Sequence, residues 1–127
     1  MRRILLAPAA AAAALACTAP SAVAAPSIGV SPATVDRDAT QTVTGRGWPV
    51  IEFCERHVAI RLRSAQNRVR LGSVRVRASG RFRFRWTPDE ANVGPGRWRL
   101  VVRLRCESGD DGSPVILRRG ADIRVRA

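Results

Sequence analysis

The sequence predicts an all-β fold, a two-sheet antiparallel sandwich of about seven strands, and three observations lead there. Charge and apolar bulk alternate with a period of two in Arg81-Phe82-Arg83-Phe84-Arg85-Trp86, and Arg61-Leu62-Arg63, Arg75-Val76-Arg77 and Arg124-Val125-Arg126 repeat the rhythm. Turn signals recur at intervals of about ten residues after Pro26, the spacing of a sandwich. No stretch carries a helical period. Successive side chains of a strand point to opposite faces, so these strands should bury one face and present arginine on the other.

The chain has 127 residues, room for one domain. Met1-Arg2-Arg3 is a positive n-region, Ile4 to Ala16 an apolar, alanine-rich stretch, and Ala22-Val23-Ala24 a small-residue cleavage site. Residues 1–24 therefore read as a cleaved secretory signal peptide, too short and too poor in bulky residues to span a bilayer. Residues 26–127 are left as the folded domain. Ala14-Leu15-Ala16-Cys17 is a poor relative of a lipobox, with Ala14 where leucine is usual, so lipid anchoring through Cys17 is the alternative to release. Arg2-Arg3 does not choose between the general and the twin-arginine export route.

The strands follow in order. Ser27 to Val30 is the first, ended by Ser31-Pro32, and Thr40 to Gly45 is the second, rich in β-branched residues. Gly45-Arg46-Gly47-Trp48-Pro49 breaks it. Val58 to Ser64 is the third, and Arg68 to Arg77 the fourth, with a kink at Gly72. Arg81 to Thr87 is the fifth, Arg97 to Cys106 the sixth, and Ile116 to Arg126 the last, interrupted at Gly120. Pro88 to Gly96 and the acidic Glu107 to Ser113 are loops.

Ser31-Pro32-Ala33-Thr34-Val35, Thr40 to Gly47 and Trp48 resemble the opening of small secreted immunoglobulin-like domains common in actinobacteria. Ala78-Ser79-Gly80-Arg81-Phe82, Pro88 and Gly94-Pro95-Gly96-Arg97-Trp98 resemble their second half. The resemblance implies an immunoglobulin-like fold and envelope, adhesion or spacer roles, without fixing a function. More distantly the chain is similar to the neocarzinostatin family, secreted apoproteins that carry a chromophore in a cleft. It departs from that family in having one long-range cysteine pair instead of two short-range disulfides, and in being basic where those proteins are acidic.

Two pairings follow from parity. Arg77 should oppose Arg81 across the three-residue loop Ala78-Ser79-Gly80, with Gly80 left-handed and Val76 facing Phe82. The same hairpin would oppose Arg75 to Arg83. In an immunoglobulin-like sandwich the third and sixth strands are antiparallel neighbours, so Cys54 and Cys106 fall at one end of the sheet. An even cysteine pair in an exported protein favours a disulfide. Extending that register puts Ile60 opposite Leu100, Leu62 opposite Trp98, Arg61 opposite Arg99 and Arg63 opposite Arg97.

Enzymatic chemistry is poorly provided for, and the expectation is no enzyme. His57 is the one histidine, and no nucleophile-elbow glycines surround a serine. Asp89-Glu90 and Asp110-Asp111 are adjacent loop carboxylates, unlike the separated pair of a glycosidase. Glu107, Asp110 and Asp111 offer oxygen ligands for calcium without any recognised spacing, so no metal and no cofactor are expected. Phe82, Phe84, Trp86 and Trp98 have inward parity, while Trp48 and Phe53 flank one connection and either plug that end or line a small-molecule cleft there.

The basic residues remain. All 22 are arginine, against 10 acids, for a net charge of +12; removing Arg2 and Arg3 leaves 20. Arginine codons are GC-rich, so the choice of base says less than the net charge, which attracts polyanions and acidic membranes. Arg61, Arg63, Arg97, Arg99, Arg103 and Arg105 would project from two adjoining strands as an anion-binding array. The expectation is a secreted, non-catalytic cell-envelope or extracellular module. Its partners would be an anionic polysaccharide, a phosphate polymer or an acidic lipid surface, with no sequence-specific nucleic acid and no transmembrane span. The alternatives are a neocarzinostatin-like carrier and a structural or adhesion domain without a specific ligand.

Overall fold

The computed structural model describes residues 25–107 and 112–127. Residues 1–24, where a signal peptide and the Cys17 anchor are expected, lie outside them, as do Asp110 and Asp111. Eight strands form: β1 Ser27–Ser31, β2 Thr34–Asp36, β3 Gln41–Arg46, β4 His57–Arg63, β5 Arg68–Arg75, β6 Phe82–Trp86, β7 Gly96–Glu107 and β8 Pro114–Arg126. They make a three-stranded sheet, β1-β3-β6, and a five-stranded sheet, β2-β8-β7-β4-β5. All pairings are antiparallel except β2 with β8.

Alternation places the core as expected. Val58, Ile60 and Leu62 of β4, Trp98, Leu100, Val102 and Leu104 of β7, and Ile123 and Val125 of β8 are buried against Val43, Phe82 and Trp86 of the smaller sheet. Each such side chain contributes about 1.5–3 kcal/mol by leaving water. Phe84 is half-buried and packs on this cluster. Trp48 meets Phe82 edge-on, with ring centroids 5.8 Å apart. Gly45 faces Phe82 across β3 and β6, and any side chain there would collide with the Phe82 ring.

Four expectations need correction. First, the described residues form eight strands. Thr34–Asp36 is a three-residue strand whose partner, β8, lies some 90 positions away in the chain, so no local turn announces it. Second, Ala78-Ser79-Gly80 makes the expected turn, with Arg77 N–H donating to Arg81 O at 2.8 Å and Gly80 at φ 79°. The hairpin goes no further, because the chain there passes from one sheet to the other. Arg75 therefore faces His57, and Arg83 faces Thr44.

Third, β4 and β7 pair two residues out of the expected register. Ile60 faces Val102, Leu62 faces Leu100, Arg61 faces Val101 and Arg63 faces Arg99. The Cys54–Cys106 disulfide does form, with an S–S distance of 2.03 Å, and Glu55 N–H donates to Arg105 O. Between Glu55 and Ala59 the chain then loops out two residues, and the Arg56 carbonyl accepts from Val76 N–H instead of from β7. A two-residue shift preserves which side chains face inward, so the core survives it. Fourth, β8 is not interrupted at Gly120, which pairs with Val101. The kink at Gly72 is present: its φ is 152°, and the β4–β5 register shifts between Ile60 and Arg61.

Gln41 is a buried polar side chain on the inward face of β3. Its Nε2 donates to Pro32 O at 2.7 Å, and its Oε1 accepts from Trp86 Nε1 at 2.9 Å. Gln41→Leu would orphan the Trp86 indole N–H and the Pro32 carbonyl. An unmade buried hydrogen bond costs about 1–3 kcal/mol, a loss readable as a lower urea midpoint. A midpoint equal to the parent's would show that this network does not hold the two strands.

Candidate anion-binding face

The outer face of the five-stranded sheet is where the arginines gather. Register lays them out in rows. Arg70, Arg61, Val101 and Gly120 lie side by side across β5, β4, β7 and β8, and the next row holds Arg68, Arg63, Arg99 and Asp122. On the other side of the first row come Ser73, Ala59, Arg103 and Arg118. Neighbouring strands are separated by about 4.8 Å and alternate residues along a strand by about 6.7 Å. Guanidinium groups therefore surround the Val101–Gly120 position closely on three sides.

This arrangement encloses an open groove of about 640 Å³, lined by Arg61, Arg63, Arg68, Arg70, Arg99, Arg103, Arg118 and Arg119 together with Leu62, Val69, Val101 and Gly120. No carboxylate is among the lining residues. Asp122, at the groove's edge, accepts from Arg99 Nη1 at 3.0 Å. Arg99 lies flat: a Cβ at Gly120 would sit 2.8 Å from its Nε and 2.9 Å from its Nη2. The absence of a side chain at Gly120 is thus what lets the Arg99 fork rest on the sheet. Arg119 has the opposite parity and reaches the sandwich edge, where its Nε donates to Pro26 O at 2.7 Å.

Arg103 stands in the middle of the charge. Its Nε is buried and has no hydrogen-bond partner. Burial, with Arg61 and Arg118 beside it, pulls its pKa below the ordinary arginine value. Arginine remains protonated even so, and the cluster is a concentrated, poorly neutralised positive field. Directly opposed like charges destabilise a sheet by tenths of a kcal/mol to about 1 kcal/mol per pair. Four such pairs meet here: Arg61 with Arg70, Arg63 with Arg68, Arg63 with Arg99, and Arg103 with Arg118.

Of the six arginines read from the sequence, Arg61, Arg63, Arg99 and Arg103 come together. Arg97 faces Arg124 and lines a neighbouring hollow beside Asp122, while Arg105 faces Ile116 farther along β7. Arg68, Arg70 and Arg118 were missed, though alternation along β5 and β8 put them on the same face. Elsewhere, Arg126 pairs with Asp36 at 2.8 Å and Arg37 with Asp89 at 3.2 Å.

The other candidates disperse. His57 is exposed at the start of β4, opposite Arg75. Trp48 is 2% exposed and donates from Nε1 to Ser27 O, so its ring plugs the sandwich, whereas Phe53 is 59% exposed. Among the described residues no three His, Cys, Asp or Glu side chains gather as a metal site requires. None of the described residues forms a helix long and apolar enough to cross a membrane.

No family model matches the chain, and no curated protein is similar to it. A solved structure of murine CRIg is similar to 82% of this chain and to 100% of that chain, at 13% identity and a TM-score of 0.40. A likeness of that strength carries no weight for function.

Proposed function

We propose that the protein is a secreted, immunoglobulin-like, non-catalytic module of the cell envelope or extracellular space whose arginine face binds anionic polymers. One observation carries the reading: eight arginines line a single groove, and no carboxylate is among its described lining residues. Guanidinium forks suit phosphate and carboxylate bidentately. A bound polyanion would also relieve the repulsion between opposed arginines, of which Arg99 alone among those in the four pairs has a carboxylate partner among the described residues, Asp122. The partners that fit are phosphate-bearing wall glycans, acidic polysaccharides and anionic lipid surfaces.

The test is chromatographic. The protein should stay on a heparin or polyphosphate matrix above about half-molar salt, as expected where several charge contacts act together. Passage through either matrix at low salt would end this reading.

A further inference from the structure

We infer that the hollow over Val101 and Gly120 is a discrete site for a phosphomonoester group, held by Arg61, Arg99, Arg103 and Arg118. The inference rests on the reading of the arginine face as anion-binding and specifies what one part of that face selects. Three observations converge there. Arg103 Nε is enclosed and has no hydrogen-bond partner, so no internal acceptor binds that side of a guanidinium group that borders the hollow. Gly120 leaves the floor low enough for the Arg99 fork to lie flat, fixed by Asp122. Arg118 and Arg61 flank Arg103, one directly opposite and the other diagonally.

The charge decides the ligand class. A carboxylate carries one negative charge and two oxygens, enough for one bidentate fork. Several converging guanidinium groups need more charge and more acceptors. A phosphomonoester supplies nearly two negative charges and three strong acceptor oxygens. Val101, apolar and half-buried, would meet the carbon side of the ester.

Calorimetric titration of the protein at constant ionic strength, with glycerol 1-phosphate, inorganic phosphate, glucose 6-sulfate and acetate as probes, tests this. Glycerol 1-phosphate should bind one to one and about tenfold or more tighter than acetate or the singly charged sulfate ester. Its affinity should fall as pH drops through the second phosphate pKa near 6, at about which the dianion becomes a monoanion. Arg103→Leu and Gly120→Val, both suited to a strand, should each weaken it about tenfold, whereas Arg97→Ser, outside the hollow, should leave it within about twofold. Arg103→Lys, which keeps the charge and loses the fork, should fall between.

Inorganic phosphate matching glycerol 1-phosphate would point to free phosphate as a sufficient ligand, and weaker inorganic phosphate would point to an esterified one; both support the site. Equal binding of acetate, or equal effects of Arg97→Ser and Arg103→Leu, would overturn it. A protein held on polyphosphate but indifferent to glycerol 1-phosphate loses the site and keeps the face. One that passes through the matrix loses both.

Discussion

Replacing Cys54 and Cys106 together with serine is expected to lower the unfolding free energy by about 4 kcal/mol. The bridge spans 52 positions of sequence, and closing a loop of that size removes much of the freedom of the unfolded chain. Domains of this size are stable by only about 5–15 kcal/mol, so the loss would bring the fold close to its limit. Its location adds to the effect. The bridge ties the end of β7 to the segment that loops out before β4, and both sulfur-bearing side chains are buried. Urea titrations of the oxidised parent and the double variant measure the difference directly. A change under about 1 kcal/mol would mean that the β4–β7 ladder holds this end of the sheet unaided.

Substituting Arg61, Arg63, Arg103 and Arg118 with threonine should weaken polyphosphate binding by roughly ten-thousandfold at about 50 mM salt if all four make charge contacts, since each released counter-ion is worth about tenfold there. The same variant should be more stable than the parent at low salt, because every opposed arginine pair around the groove loses a member. The gain is expected to be on the order of 1 kcal/mol or more. Binding and stability moving in opposite directions is the signature of charges kept for a ligand. A variant that loses both would have been damaged in its fold.

Two-residue alternation made most of this architecture legible. It placed Ile60, Leu62, Trp98 and Leu100 inside and the arginines between them outside, and those assignments hold. Alternation fixes parity but not register. The two residues that loop out before Ala59 shift β4 against β7 without altering any inward position, and nothing local to Glu55-Arg56 signals them. Gly80 announced its turn, but whether β5 and β6 share a sheet depends on Phe82 settling over Gly45, a contact between distant segments. β2 is three residues long and has no period to read.

The candidate site was legible to the same extent. Four of its arginines followed from parity on β4 and β7. Arg68, Arg70 and Arg118 depended on knowing that β5 and β8 flank those strands. Gly120 was misread because a glycine within a strand suggests a break, whereas here it makes room for a neighbouring guanidinium group.

The salt dependence of polyphosphate binding addresses the central claim most directly. For the parent, the logarithm of the affinity should fall linearly with the logarithm of salt concentration. For the variant lacking Arg61, Arg63, Arg103 and Arg118, the slope should be shallower by about 3, close to 0.7–0.9 for each charge contact removed. Identical slopes for the two proteins would show that this groove is not where the polyanion lies.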